Sequence, residues 1–190
     1  METNPLPAVV SDAGPPIHLA QINKLYLVKK LFNQVIITSN VKREAYDEGV
    51  RLGHADAQVI GKAIEEGWVK VEDFPKHLAK ASKKLAEGEN ISLADAETLL
   101  FAREKGAEVL VDEKAVSNLA RLFGLKTWNT WTVLLESLSM GYIEVSHIEA
   151  AIKELGEKRH KLRKEQAEQI LEAAKRLACK RREKRTGSTL

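Results

Sequence analysis

The sequence predicts an α/β protein: a central parallel sheet with helices over both faces. Short apolar, β-prone runs alternate with helical stretches from residue 8 to about residue 143. Glycine and proline stand where the segments change type. A chain of 190 residues holds one domain with an ordinary core and has little room for a second. Strands alternating with helices are the signature of a parallel sheet whose crossovers cover it.

Ala8-Val9-Val10-Ser11 is the first strand, ending at Asp12-Ala13-Gly14-Pro15-Pro16. Residues 17–32 read as one helix, with Ile17, Ala20, Leu25, Val28, Leu31 and Phe32 as its apolar set. Val35-Ile36-Ile37-Thr38 is the second strand. Asn40 is placed to cap a helix over 41–48, which Gly49 stops. A helix over 54–66 ends at Gly67, and Trp68-Val69-Lys70-Val71-Glu72 alternates like a strand. Residues 76–90 are polar and lysine-rich, reading as a helix fragment plus loop. Ser92 opens a strong helix over 93–105 that Gly106 closes. Val109-Leu110-Val111 is a strand running into Asp112-Glu113-Lys114, and a helix follows to Phe123. A short strand, 125–128, and a helix, 131–140, complete the alternation. Beyond Met140 the chain reads as helix, about 145–156 and 163–184.

Composition narrows the chemistry. Apolar residues make up 44% and charged residues 30%, as in soluble globular proteins. No apolar run reaches the ~18 residues of a membrane span. The start, METNPLPAVVSDAG, does not read as a secretory signal. Cys179 is the single cysteine, which excludes an intrachain disulfide and a cysteine-based zinc site. A cytoplasmic location fits. Residues 153–190 carry 13 Lys and Arg against 6 Asp and Glu, whereas residues 1–152 carry 17 against 21. A basic tail on an acidic body suits a polyanion partner. Lys180, Arg181, Arg182, Lys184 and Arg185 are the candidate phosphate contacts, a solvated terminus being the plain alternative.

The acids are placed more tellingly. Parallel α/β folds bind ligands beyond the carboxyl ends of their strands. Asp12 ends the first strand, and Asp112 and Glu113 follow the fourth predicted one. Glu44 lies just past strand two, and Asp95 is in the first turn of its helix. Carboxylates gathered in one place repel unless a cation lies between them. Oxygen-only ligands select hard cations such as Mg²⁺ or Mn²⁺. Taken singly, each acid also has a structural role open to it: a turn at Asp12, a solvated charge at Glu44, caps at Asp95 and Asp112. The five histidines, His18, His54, His77, His147 and His160, are scattered and read as surface or helix residues. Trp128 and Trp131 read as core rather than as base-stacking surface. No Gly-x-Ser-x-Gly, P-loop or His-x-x-x-His is present. A phosphoacceptor receiver would need an acidic pair after strand one, where Asp12 stands alone.

At these positions the sequence resembles the PIN domain, a nuclease family. Val9-Val10-Ser11-Asp12-Ala13-Gly14-Pro15 resembles its first motif, and Ile36-Ile37-Thr38-Ser39-Asn40-Val41-Lys42-Arg43-Glu44 the segment ending in the second acid. Ser92-Leu93-Ala94-Asp95-Ala96 resembles the helix start with the third acid, and Val109-Leu110-Val111-Asp112-Glu113-Lys114 the strand with the fourth. The likeness covers roughly residues 8–143. It is closest to a prokaryotic, toxin-like branch whose fourth motif reads Asp-Asp-Lys and in which a strand like Gly67-Trp68-Val69 follows the third helix. The fourth motif here leaves Asp112 and Glu113 as alternatives, and Asn129-Thr130 is carried over near the site.

The resemblance implies a three-layer α/β/α PIN-like fold. It makes residues 8–143 a nuclease domain and 144–190 a helical, basic extension packed on it or projecting from it. It implies Mg²⁺ or Mn²⁺ held by Asp12, Asp95 and Asp112 or Glu113, with Glu44 among the catalytic acids. The activity implied is hydrolysis of single-stranded or structured RNA to 3′-hydroxyl and 5′-phosphate ends, by a toxin-antitoxin toxin or an RNA-processing factor. RNA is the expected partner, with an antitoxin or other protein and a homodimer also open. The alternative is an inactive PIN fold that binds RNA or protein.

Overall fold

The computed structural model of the chain describes residues 6–158 and 160–186, with side chains up to residue 183. The side chains of Lys184 and Arg185, expected to touch phosphate, lie outside the described residues. Two compact units make up the chain, Met1–Thr130 and Trp131–Leu190.

In the first unit β1 (Val9–Ser11) leads into α1 (Gly14–Gln21) and α2 (Tyr26–Leu31). Then come β2 (Val35–Thr38), α3 (Ser39–Lys42), a π-helical turn (Arg43–Asp47), α4 (Glu48–Arg51) and α5 (Ala55–Glu65). β3 (Val69–Glu72) follows, then a 3₁₀ turn (Lys76–Leu78), α6 (Ala79–Glu89) and α7 (Leu93–Lys105). β4 (Glu108–Leu110), α8 (Lys114–Leu122) and β5 (Thr127–Trp128) complete the sheet, and α9 (Thr130–Ser139) leaves it.

The strands lie in the order β3-β2-β1-β4-β5, every pair parallel. Every residue of β1 and β2 is buried, because crossover helices cover both faces of a parallel sheet. Val10, Ile36, Val109 and Val111 meet Leu99, Phe101 and Val116 in one apolar cluster. The chain winds outward in opposite directions from the β1/β4 pair. A crevice opens at such a switch point, beyond the strands' carboxyl ends. Ser11 pairs with Leu110 there, so Asp12 and Asp112 leave adjacent strands at nearly the same height.

Four local expectations are corrected. The helix expected over 17–32 is two helices, because Asn23 takes a left-handed φ of 53° between them. Asn40 is not the cap: Thr38 is, its hydroxyl accepting from Val41 N at 3.3 Å. Gly49 does not stop its helix but sits inside α4, since a Cβ there would come within 2.8 Å of Ala57 Cβ. Residues 79–89 form a full helix, where a fragment with loop was expected; Asn90 ends it in the left-handed conformation.

The second unit continues with α10 (Val145–Glu157) and α11 (Lys164–Thr186). Ile148, Ala151, Leu155 and Ala174 are buried on these helices. No helix of the described residues is long and apolar enough to cross a membrane.

Candidate active site

Asp12 continues the ladder beyond β1, its N–H donating to Leu110 O at 3.0 Å. The chain then enters α1 through Gly14-Pro15-Pro16. Proline suits this first turn, where backbone N–H groups have no partner within the helix. Gly14 N donates a long hydrogen bond, 3.4 Å, to Asp12 Oδ2. That is weak compensation for a partly buried carboxylate. Burial first, then the charge of Asp95 and more weakly that of Glu44, push the Asp12 carboxyl up to about 7. The N–H groups of Ala13 and Gly14 oppose this only in part.

Asp95 reaches the same place from α7. It forms a capping box with Ser92: Asp95 N donates to Ser92 Oγ at 2.9 Å, and Ser92 N donates back to Asp95 Oδ2 at 3.2 Å. Ser92 Oγ stands 2.8 Å from the same Oδ2. The structural cap and the acidic site are therefore one residue. Asp95 is only 5% exposed, so the box holds a buried carboxyl group.

Glu44 arrives on the π turn, a helical irregularity that recurs at functional sites. Burial raises its carboxyl above the ordinary range, and Asp95 adds the largest of the electrostatic pushes. Glu48 and Glu97 push the same way, and Arg43 opposes them. Asp12, Glu44 and Asp95 thus share one electrostatic neighbourhood.

Asp112 is held differently. Its Oδ1 accepts from Thr130 N at 2.8 Å and its Oδ2 from Thr130 Oγ1 at 2.7 Å. His18 Nδ1 stands 2.5 Å from the same Oδ2. A Cβ on Gly14 would lie 3.7 Å from Asp112 Oδ2 and 3.8 Å from Asp12 Oδ2, which brings the fourth acid beside the first. Glu113, the alternative fourth acid, is the exposed N-cap position of α8.

Thr130 was carried over only by resemblance; it holds Asp112 through both backbone and hydroxyl. His18 and Glu97 escaped the sequence reading. His18 sits in the second turn of α1, and only the pairing of β1 with β4 brings that turn to residue 112. Glu97 is buried two residues beyond Asp95 and accepts from Asn40 Nδ2 at 2.9 Å. A second acid two residues past the candidate Asp95 in a helix start was the available signal.

Of the basic tail, Lys180 and Arg182 are exposed. Arg181 is engaged inside its own unit: it donates to Leu138 O at 2.9 Å, Ile143 O at 3.4 Å and Glu144 Oε1 at 2.6 Å. Trp128 is buried, edge-on to Phe32, with its Nε1–H donating to Glu108.

The donor set suits a hard divalent cation: oxygen only, anionic and short of compensating charge. Among the described residues, no three acidic, histidine or cysteine side chains form a ready-made metal cage. Mg²⁺ needs none, since it keeps most of its waters and is commonly held by one or two carboxylates.

Three comparisons set this chain beside known proteins. The endoribonuclease Nob1 of Pyrococcus abyssi is 43% identical over 72 residues, which are 36% of this chain and 45% of that protein. The chain thus matches less than half of that relative's length. Among solved structures, PAE2754 from Pyrobaculum aerophilum aligns at 16% identity, with 68% of this chain and 88% of that one covered and a TM-score of 0.46. A PilT N-terminus domain protein, SSO1118 from Sulfolobus solfataricus, aligns at 22% identity over 70% and 94%, with the same TM-score. A family model described as a PIN domain matches residues 8–176, through all four acidic segments, and on that match the chain belongs to the PIN-domain family.

Proposed function

We propose that the chain is a metal-dependent endoribonuclease whose active site is the crevice at the β1/β4 switch point. One observation carries the reading: Asp12 is partly buried beside Asp95 and Glu44, and its two backbone donors do not offset the crowding of negative charge. Uncompensated buried carboxylates lower stability, and a bound cation relieves that penalty. Asp12 and Asp95, with Asp112 beside them, would hold Mg²⁺ or Mn²⁺. A cation bound there supplies Lewis-acid stabilisation of the phosphodiester and a more acidic water.

The chain's own residues do the rest. Thr130 and His18 fix the Asp112 carboxylate, so the acid does not reorganise as charge develops. Glu44 stands at the edge of the cluster to accept a proton from the attacking water. The water oxygen bonds to phosphorus, the P–O3′ bond breaks, and the leaving 3′ oxygen takes its proton from solvent. The products are 3′-hydroxyl and 5′-phosphate ends. RNA is the proposed substrate, in keeping with the name of the Pyrococcus relative.

A second reading, a silent PIN fold that binds RNA or protein, is favoured by the lack of a preassembled cage among the described residues. Purified full-length chain with single-stranded RNA separates the two. The nuclease cleaves with Mn²⁺, stops with chelator and loses cleavage on Asp12→Asn. No Mn²⁺ binding at millimolar concentration, with no cleavage, supports the silent fold.

A further inference from the structure

Glu97 is a buried carboxylate, 7% exposed, to which the four acids assign no task. Burying a carboxylate is costly unless its partners are well placed. Its hydrogen-bond partner is Asn40, whose Nδ2 donates to Oε2 at 2.9 Å. This bond joins two elements that each carry a site acid. Asn40 lies in α3, four residues before Glu44; Glu97 lies in α7, two residues after Asp95.

The stretch between Asn40 and Glu44 is not a plain α-helix. It passes into the π turn Arg43–Asp47, which holds one more residue per turn than the helix around it. That extra residue sets the phase at which Glu44 leaves the helix. Phase alone does not fix where the helix lies against α7. The Asn40–Glu97 bond is a direct side-chain tie between them. Glu97 is also close enough to add to the negative field on Glu44.

We propose that Asn40 and Glu97 are positioning residues that set Glu44 against Asp95, and so govern cation affinity and turnover without touching the ion or the RNA. The proposal rests on the nuclease reading above. It gives Glu97 the part of a hydrogen-bond acceptor, so its charge is dispensable. It gives Asn40 the part of a donor, so its amide nitrogen is not. Partners of this kind, one shell removed from a metal, change affinity by roughly 10–100-fold when lost.

The test uses full-length protein, Mn²⁺ titration by calorimetry, RNA cleavage, and thermal unfolding in chelator to confirm folding. Glu97→Gln keeps an acceptor oxygen for Asn40 and removes the charge; it is expected to bind Mn²⁺ within about threefold of the wild type. Asn40→Ala and Glu97→Ala remove the bond and are expected to weaken Mn²⁺ binding about tenfold, with kcat reduced alongside. Asn40→Asp sets a carboxylate against Glu97 and is expected to be worse than Asn40→Ala. Should Glu97→Ala fail to fold, Asn40→Ser carries the same comparison. Glu97→Gln as damaging as Glu97→Ala would overturn the proposal, because the charge itself would then be in use. Asn40→Ala with wild-type Mn²⁺ affinity would overturn it too. Failure of the underlying nuclease reading shows separately, as no Mn²⁺ binding by the wild type.

Discussion

Asp12 and Asp112 share the space over Gly14: a Cβ on that glycine would meet Asp12 Oδ2 at 3.8 Å and Asp112 Oδ2 at 3.7 Å. Those are ordinary contact distances, so Gly14→Ala is expected to fold and keep Mn²⁺ binding near the wild-type level. Gly14→Leu extends a branched side chain into the gap where the ion would sit. Its Mn²⁺ affinity is expected to fall at least about tenfold, as for other losses around a metal site, with circular dichroism unchanged. Wild-type Mn²⁺ affinity in Gly14→Leu would place the ion elsewhere.

The buried charge at Asp12 gives the metal-free protein a pH dependence of known sign. Its carboxyl is raised from 3.8 to about 7, so the folded state binds the proton more tightly than the unfolded state. The contribution is therefore full below pH 4 and lost as pH rises through 7. The whole shift corresponds to about 4 kcal/mol as a ceiling. Asp12→Asn removes this loss. In chelator, urea denaturation should show Asp12→Asn gaining on the wild type between pH 5 and pH 8, and adding Mn²⁺ should stabilise only the wild type. A stability gap that does not change with pH would refute this account.

Thr130 and His18 meet on one oxygen, Asp112 Oδ2. Thr130→Val keeps the shape and the backbone donor while removing the hydroxyl. It should cost about 1.5–3 kcal/mol, the range for a hydrogen bond to a charged group, and lower kcat. A double-mutant cycle with His18→Ala should show coupling of at least about 0.5 kcal/mol, since both act on one acceptor. Strict additivity would mean the two donors work independently.

Arg181 serves the second unit from within. Its guanidinium ties α11 to the end of α9 and the start of α10 through three acceptors. Arg181→Ala should destabilise by about 2–3 kcal/mol through loss of charge-assisted bonds. Arg181→Lys should rescue little, because one ammonium cannot span that fork. The Lys180→Ala, Arg182→Ala double variant should reduce RNA affinity most at low salt. RNA affinity independent of salt in both proteins would leave the tail no phosphate role.

The elements that carry the acids were readable because each rests on a local signal. β1 ends where its apolar run meets Asp12-Ala13-Gly14-Pro15, and Ser92 with Asp95 spells a capping box that also serves the site. Long-range information was missing. His18 joins Asp112 across 94 residues and Glu97 joins Asn40 across 57, pairings that appear only once the strands are ordered. Gly49 misled for a related reason: a helical glycine usually marks an end, and here the packing of Ala57 against it is what requires glycine. The basic run at 180–185 showed its charge in sequence but not that Arg181 turns inward.

The π turn has a consequence for how such a site is gained or lost by descent. Upstream of it, α3 is tied to α7 through Asn40 and Glu97; within it Tyr46 lies over Gly61, and downstream Gly49 lies under Ala57, both on α5. The helix thus meets two neighbours on either side of a turn that holds one extra amino acid. A one-codon deletion between residues 43 and 47 would turn the following residues by about 100°. The lineage would then keep either the acid at the crevice or the seat on α5. If the nuclease reading holds, a single-codon change in this turn is expected to separate the acid from the site, and reversal needs one specific insertion.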